Sequence, residues 1–418
     1  MITVAYAALW VFVFVVPWEL LVALPGLSIV SRGTGAIAVG LTMLAIVIHG
    51  RVRRWRVFHV AALVFVIWAG VGAWFLNVGG LPKKLYTFVQ LFLVLFMMWE
   101  LGSTPKRVRG LMAAYVFGCC VPAIATIILY LHAGDTLRRF SAGGHDPNDL
   151  AMTLALAVPI AWYLALTTRG PLVRWLFRGY LPLGLLATAL TGSRGGLLAS
   201  MVALLVIPLT MRLSAGRLVG AVASLCLCGA LVVVYVPTKV MKRLSTTGTE
   251  IEDKRFGGRF TLWKAGVHAF VHRPVMGYGV GGFVRSITPE LGDRALVAHN
   301  SFLSVLVEEG LIGLWLYLTM VVSVYFSIRR LPRIERRFAF IMFATLLTAM
   351  MPLTWEDQKA AWLIMGILTG LSGLYYAEPR AARAPLAARR PAPAPSREET
   401  VRATVPRTVT GPGGGATS

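Results

Sequence analysis

Long apolar runs, separated by short polar and basic segments, recur along most of the chain. Each run is about 17–25 residues, the length a helix needs to cross ~30 Å of hydrocarbon. Twelve spans are expected, near 3–24, 28–49, 58–77, 85–101, 109–131, 150–168, 175–191, 194–211, 218–238, 300–327, 337–353 and 361–377. Lipid offers no water to satisfy backbone groups, so each span is expected to be a helix and the fold all-α and polytopic. The first run lacks a basic leader and a small-residue cleavage site, and reads as a span rather than a cleaved signal. Residues 1–377 form one membrane domain on this reading. From 378 to 418 Ala, Pro, Arg and Gly dominate, a composition expected to be disordered.

Two inter-span connections are too long to be bare turns. One runs from His132 to Asp149. The other covers about 239–299 and holds an apolar-rich stretch, Phe260–Val271, expected as a short amphipathic helix near the membrane surface.

Composition agrees with the pattern: 57% of the 418 residues are hydrophobic, 14% are charged, and mean hydropathy is +0.70. A soluble domain carries about 25% charged residues. The net charge of +23 raises nucleic-acid binding as a possibility, but the basic residues are scattered in short loops rather than gathered in one patch. Arg51, Arg53, Arg54 and Arg56 follow the second span, and Lys106, Arg107 and Arg109 the fourth. Arg169, Arg174 and Arg178 follow the sixth, Arg212 and Arg217 the eighth, and Arg329, Arg330, Arg333, Arg336 and Arg337 the tenth; seven more arginines sit in the tail. Every cluster follows an even-numbered span. The positive-inside rule makes that face cytoplasmic, together with both termini. No nucleic-acid partner is expected. Cys119, Cys120, Cys226 and Cys228 all fall in apolar runs without a histidine partner, so no metal site is expected.

With this topology, the unusual polar residues fall on the opposite, outer face. Gly143-Gly144-His145-Asp146-Pro147-Asn148-Asp149 enters the sixth span, where Asn148 or Asp149 can cap the helix. It reads equally as a plain helix start. Thr191-Gly192-Ser193-Arg194-Gly195-Gly196 forms a tight turn opening the eighth span. Free N–H groups at such a terminus favour anions, and glycines let a phosphate approach the backbone. The alternative for Arg194 is a snorkelling topology arginine. Gly257-Gly258-Arg259 opens the expected surface helix, with Trp263 four residues on, and Arg259 reads either as a head-group contact or as a solvated loop residue. The following Gly277-Tyr278-Gly279-Val280-Gly281 follows no strand, which excludes a nucleotide-binding reading. His299-Asn300-Ser301 opens the tenth span, where Asn300 or Ser301 can cap. Glu308 and Glu309 lie about 13 Å further along that helix, where an ionisable group is costly and functional by default. They can also pair with an arginine such as Arg194. Trp355-Glu356-Asp357-Gln358-Lys359 adds outer-face polarity without an evident role.

Two arginines and a histidine at an outer membrane boundary suit a pyrophosphate whose lipid tail lies in the bilayer. Arginine pairs bidentately with phosphate oxygens and stays charged, and it can stabilise charge on a leaving pyrophosphate. His299 can accept a proton from an attacking hydroxyl or orient it.

Taken in order, Asp146-Pro147-Asn148-Asp149, Ser193-Arg194-Gly195-Gly196, Arg259 with Trp263, the 277–281 glycine turn, and His299-Asn300-Ser301-Phe302-Leu303 followed by Glu308-Glu309-Gly310 resemble the O-antigen ligase and polymerase family. The likeness is strongest over about 140–315. It implies a GT-C-like membrane glycosyltransferase fold without a nucleotide-sugar domain, in a bacterial inner membrane with the active site facing the periplasm. The implied donor is an undecaprenyl pyrophosphate-linked glycan. The implied acceptor is lipid A-core for a ligase, or a second lipid-linked glycan for a polymerase. The implied reaction is inverting, metal-independent and free of cofactors. On this basis Arg194, Arg259 and His299 are the expected catalytic residues, and Ser193, Gly195, Asn300, Asp146, Asn148, Asp149 and Glu308 the expected substrate-binding ones. Besides these substrates, only membrane lipids are expected as partners.

Two other classes use parts of the same pattern. A transporter or flippase for an anionic lipid would employ the same arginines, but normally shows related halves and polar or broken helices at mid-membrane. A scaffold explains the spans but not the outer-face arginines.

Overall fold

The computed structural model describes residues 1–21, 28–76, 83–134, 139–210 and 258–376. The expected span 218–238, most of the loop before Gly258, Arg212, Arg217, Cys226, Cys228 and the tail lie outside the described residues. Among the described residues there is no strand.

In chain order the helices are α1 (Ile2–Val15), α2 (Ser28–His49), α3 (Val57–Phe75), α4 (Lys83–Leu101), α5 (Pro105–Ala133), α6 (Pro147–Thr167) and α7 (Pro171–Leu190). There follow α8 (Arg194–Leu204), α9 (Val206–Thr210), α10 (Arg259–His272), α11 (Phe283–Leu291), α12 (Ser301–Ile328), α13 (Arg333–Met350) and α14 (Lys359–Tyr376). Every expected span within the described residues contains a helix. Six helices, α2 to α6 and α12, are long and apolar enough to cross a membrane by length and composition. Three shorter apolar segments, Ile2–Trp18, Arg194–Thr210 and Lys359–Tyr375, accompany them. The protein is therefore an α-helical, multi-pass membrane protein.

The core is organised around α6, which packs against α5, α7, α8 and α13 and is buried along most of its length. Its alanines at 151, 155, 157, 161 and 165 let neighbours come close. The tightest approach is to α8: a Cβ on Gly196 would stand 2.3 Å from the Ala151 methyl carbon.

Contacts between helix ends fall into two groups. On the face that carries the basic loops, the Arg53 N–H donates to Glu100 at 3.0 Å, Arg337 donates to the Leu209 carbonyl at 2.7 Å, and the Ser372 hydroxyl donates to the Ser327 carbonyl at 2.9 Å. In the second group the starts of α4, α6, α8 and α12 gather around residues 351–358, which lead into α14, and the start of α2 meets Lys359 through Ser31.

One helix departs from the simple picture. α12 is broken at Gly310, whose φ of 67° and ψ of −167° leave the helical region. The break frees backbone groups that lipid cannot satisfy, and the segment 274–279 supplies partners. The Tyr278 N–H donates to Val307 O at 3.0 Å, the Gly279 N–H to Glu308 O at 2.7 Å, and the Leu311 N–H to Pro274 O at 2.8 Å. The glycine turn is thus a plug for a broken helix. Contact is so close that a Cβ on Gly310 would lie 2.1 Å from Val275 O.

The stretch expected as a surface helix is α10, which extends one residue beyond each end of Phe260–Val271. Leu262, Ala265, Gly266 and Ala269 form its buried stripe at helical spacing, packed with Phe283, Ile287 and Leu291 of α11. The opposite face leaves Phe260, Val267 and Val271 exposed.

Candidate active site

The site is built around the N-terminus of α6. Asp146 is the N-cap, its Oδ1 accepting the Asn148 N–H at 2.7 Å. This corrects the expectation that Asn148 or Asp149 caps the helix: Pro147 lacks an N–H and has the φ of a first helical residue, so the cap must precede it. Asn148 and Asp149 are thereby released for long-range contacts. Asn148 Oδ1 accepts from the Ser193 hydroxyl at 3.0 Å and from Arg139 at 2.8 Å. Arg139 also donates to the Thr191 carbonyl at 2.9 Å.

Ser193 in turn caps α8, accepting the Gly196 N–H at 3.2 Å. Arg194 is therefore the first helical residue, half-buried, at a terminus tied by its cap to α6. Gly195 beside it is kept small by Met152 and Pro352, which a Cβ would meet at 2.8 and 3.3 Å.

The third side is formed by α10 and the start of α12. The Trp263 indole donates to Ala298 O at 2.9 Å, fixing α10 against the irregular segment before His299. Asn300 caps α12, its Oδ1 accepting the Leu303 N–H at 3.0 Å. His299 has φ of 47°, the one non-glycine residue with positive φ among the described residues. Such a backbone costs on the order of 1–3 kcal/mol and persists where its surroundings over-determine it. Here the His299 N–H donates to Thr354 Oγ1 at 3.0 Å.

Asp146, Arg259 and His299 are electrostatic neighbours. Burial pulls the His299 imidazole below its ordinary value, the Arg259 guanidinium pulls it further down, and Asp146 opposes both. Burial also lowers Arg259, with Asp146 again opposing. His299 is thus held neutral, able to accept a proton, beside an arginine that remains charged at neutral pH.

Residues 351–358 close the site from behind. The Ser301 hydroxyl donates to Leu353 O at 2.9 Å and accepts the Trp355 N–H at 2.8 Å. The Trp355 indole donates to Asp149 Oδ1 at 2.8 Å. This loop joins the starts of α6, α8 and α12, and its organising role was not visible from its sequence. Arg139 was likewise missed, because it follows a long connection and pairs across 52 positions with Thr191.

Residues 179–318 match the family model described as O-antigen ligase. This stretch is similar to the O-antigen ligase family. No curated protein matches the chain. The matched segment contains Ser193, Arg194, Arg259, His299 and Asn300; Asp146, Asn148 and Asp149 lie outside it but fold against it.

Glu308 lies in an adjoining buried cluster. Lys84 Nζ contacts Glu308 at 2.8 Å and Glu356 at 2.6 Å. Glu308 also accepts the Gly281 N–H at 2.8 Å, within the glycine turn. The expected partner Arg194 is replaced by Lys84, brought in by α4. Burial pushes the Glu356 carboxyl up to about 7, with Lys84 opposing and the Asp357 and Glu308 charges reinforcing. Glu309, 1% exposed, has no partner for either carboxylate oxygen among the described residues.

Proposed function

We propose that this protein transfers a glycan from undecaprenyl pyrophosphate to an acceptor hydroxyl at the periplasmic face of the bacterial inner membrane. The observation that carries the proposal is the grouping of Arg259, His299 and Asp146 at the α6 terminus, to which Ser193 and Asn148 tie the helix start bearing Arg194. The O-antigen ligase match over 179–318 supports the same chemistry. On this reading twelve spans cross the membrane, both termini are cytoplasmic, residues 1–377 are the transferase, and 378–418 are a tail.

The acceptor oxygen attacks the sugar C1 from the face opposite the pyrophosphate. The C1–O bond to phosphate breaks, and its electron pair leaves with the pyrophosphate. Arg194 and Arg259 bind and stabilise that growing charge. His299, neutral at rest, takes the hydroxyl proton. Asp146 faces the resulting imidazolium. Asn148, Asp149, Ser193, Gly195 and Asn300 shape the surrounding helix termini. Glu308 holds the glycine plug in α12 rather than touching substrate.

The transporter alternative gains a broken helix, α12, but its freed carbonyls at 307 and 308 are filled by Tyr278 and Gly279 amides instead of facing a cavity. That arrangement favours an enzyme. Between acceptors, lipid A-core makes the protein a ligase and a second lipid-linked glycan makes it a polymerase.

The test is replacement of Arg194, Arg259 or His299 by Ala in cells, with surface polysaccharide resolved by length. Loss of long chains is expected for each variant. Normal long chains in all three, at normal protein abundance, would overturn the proposal.

A further inference from the structure

A cavity of about 580 Å³ opens between α1, α2 and α4, away from the residues assigned to transfer. Its walls are apolar and partly made of small residues: Phe12 from α1, Gly35, Val39 and Gly40 from α2, and Val94 and Met97 from α4. Ser31, Arg32, Thr87 and Lys359 line the other end. From Ser31 to Gly40 the trough runs about 14 Å along α2. It is therefore an apolar channel with a cationic mouth.

The mouth has a free charge to offer. Arg32 is exposed and makes no hydrogen bond or ion pair among the described residues. Lys359 is partly neutralised by its ion pair with Glu19, and also donates to the Ser31 hydroxyl at 3.3 Å. The mouth also adjoins the active site: the Leu20 and Leu21 carbonyls, just after Glu19, lie against Gly144 and Gly143, where added Cβ atoms would meet them at 3.3 and 1.9 Å, three residues or fewer before Asp146.

We propose that this channel seats the hydrocarbon chain of a single-chain polyprenyl phosphate lipid that carries the acceptor glycan, with its phosphate at Arg32 and Lys359. The inference rests on the transferase reading and deepens it by naming the acceptor class. Apolar walls match the chain, the unpaired guanidinium matches the phosphate, and the close packing of Leu20 and Leu21 on Gly144 and Gly143 brings the glycan to the transfer site. One trough seats one chain; a lipid with several acyl chains would need several. The acceptor is then a second lipid-linked glycan, as in a polymerase.

The experiment uses the purified full-length protein and a long-chain polyprenyl phosphate bearing a diazirine on an isoprene close to its phosphate, within reach of the trough. Photolysis is followed by mass spectrometry of the labelled peptides. Label is expected on α2 and α4. Gly40→Trp should reduce it at least fivefold, because a Cβ at Gly40 meets nothing within 4 Å and the indole can enter the channel without disturbing the fold. Gly40→Ala should leave labelling unchanged, and Arg32→Glu should weaken it. Undiminished label in folded Gly40→Trp overturns the proposal, as does equal competition by phosphatidylglycerol, which would mark the channel as a general lipid groove. Labelling requires no turnover, so the two readings fail separately. Absent channel label with polysaccharide lost in Arg194→Ala removes only the acceptor site. Channel label with normal polysaccharide in the Arg194, Arg259 and His299 variants removes only the transferase reading, and with it the acceptor role of the bound lipid.

Discussion

The Ser193 hydroxyl donates to Asn148 Oδ1 at 3.0 Å, joining two helix N-termini that lie 45 positions apart in the chain. Asn148 Oδ1 receives a second donor, Arg139, so its carbonyl oxygen is the atom that matters and its amide nitrogen is not used in this contact. Asn148→Asp preserves that oxygen and adds charge attraction to Arg139. Asn148→Leu leaves two donors unsatisfied in a part-buried node, a loss of about 1–3 kcal/mol. Polysaccharide production should fall at least about fivefold in Asn148→Leu and stay within about threefold in Asn148→Asp, as a 1.4 kcal/mol change corresponds to roughly tenfold. Chain-length profiles from cells expressing equal amounts of each variant would check this; equal loss in both would show that the acceptor oxygen is not the critical feature.

A pH profile tests the role of His299. Burial and Arg259 both lower its pKa from about 6.5. A base with a lowered pKa stays neutral to lower pH, so activity should persist below the ordinary histidine range and fall only at a more acidic limb. Asp146 is the one opposing influence. Asp146→Asn should therefore move the acid limb further down, whereas Arg259→Lys, which keeps a charge, should leave it nearly in place. Initial rates against pH on purified protein would show the limb; an upward shift in Asp146→Asn contradicts the assigned geometry.

The helical framework was legible because lipid leaves the backbone no alternative: apolar runs of sufficient length coincide with helices. The α8 start at Ser193-Arg194, the Asn300 cap and the helix around Phe260–Val271 were legible for local reasons, since caps and amphipathic spacing are short-range signals. The rest depended on partners distant in sequence. Asp146 wins the cap from its neighbours only through the Pro147 backbone. Lys84 sits at the start of an otherwise ordinary span, and nothing near it signals that α4 delivers it to Glu308. The break in α12 was hidden because Glu308-Glu309-Gly310 reads as a polar interruption in a continuous helix. Only the amides of Tyr278 and Gly279 make a break there affordable.

Gly310 and Gly258 separate two penalties of adding a side chain. Both have positive φ, 67° and 81°. At Gly258 a Cβ meets nothing within 4 Å, so Gly258→Ala should cost only the backbone term of about 1–2 kcal/mol. At Gly310 the Cβ would stand 2.1 Å from Val275 O, and either the plug or the helix break must move. Gly310→Ala should therefore lower the thermal unfolding midpoint well beyond Gly258→Ala, by more than about 4 kcal/mol in equivalent stability. Unfolding scans in one detergent would compare them directly, and equal shifts would refute the plug.

Stability should fall as pH rises through neutrality, and Glu356 is a specific source. Its carboxyl is buried, pushed up to about 7 against an unfolded value of 4.5. An acid with a raised folded pKa holds its proton more tightly when folded, so its favourable contribution is complete below the unfolded value and is lost as pH rises through about 7. Glu356→Gln removes this titration yet keeps an oxygen to accept from Lys84, which reaches Glu356 Oε1 at 2.6 Å. The variant should match the native protein near pH 4.5 and exceed it above pH 7. Lys84→Met behaves in the opposite sense: it strands Glu308 and Glu356 together in the interior, a loss of about 3–5 kcal/mol, greatest once Glu356 is ionised. Unfolding midpoints of the three proteins between acidic and neutral pH would diverge if the cluster titrates as described. Parallel curves would mean that the charge of Glu356 does not change across that range.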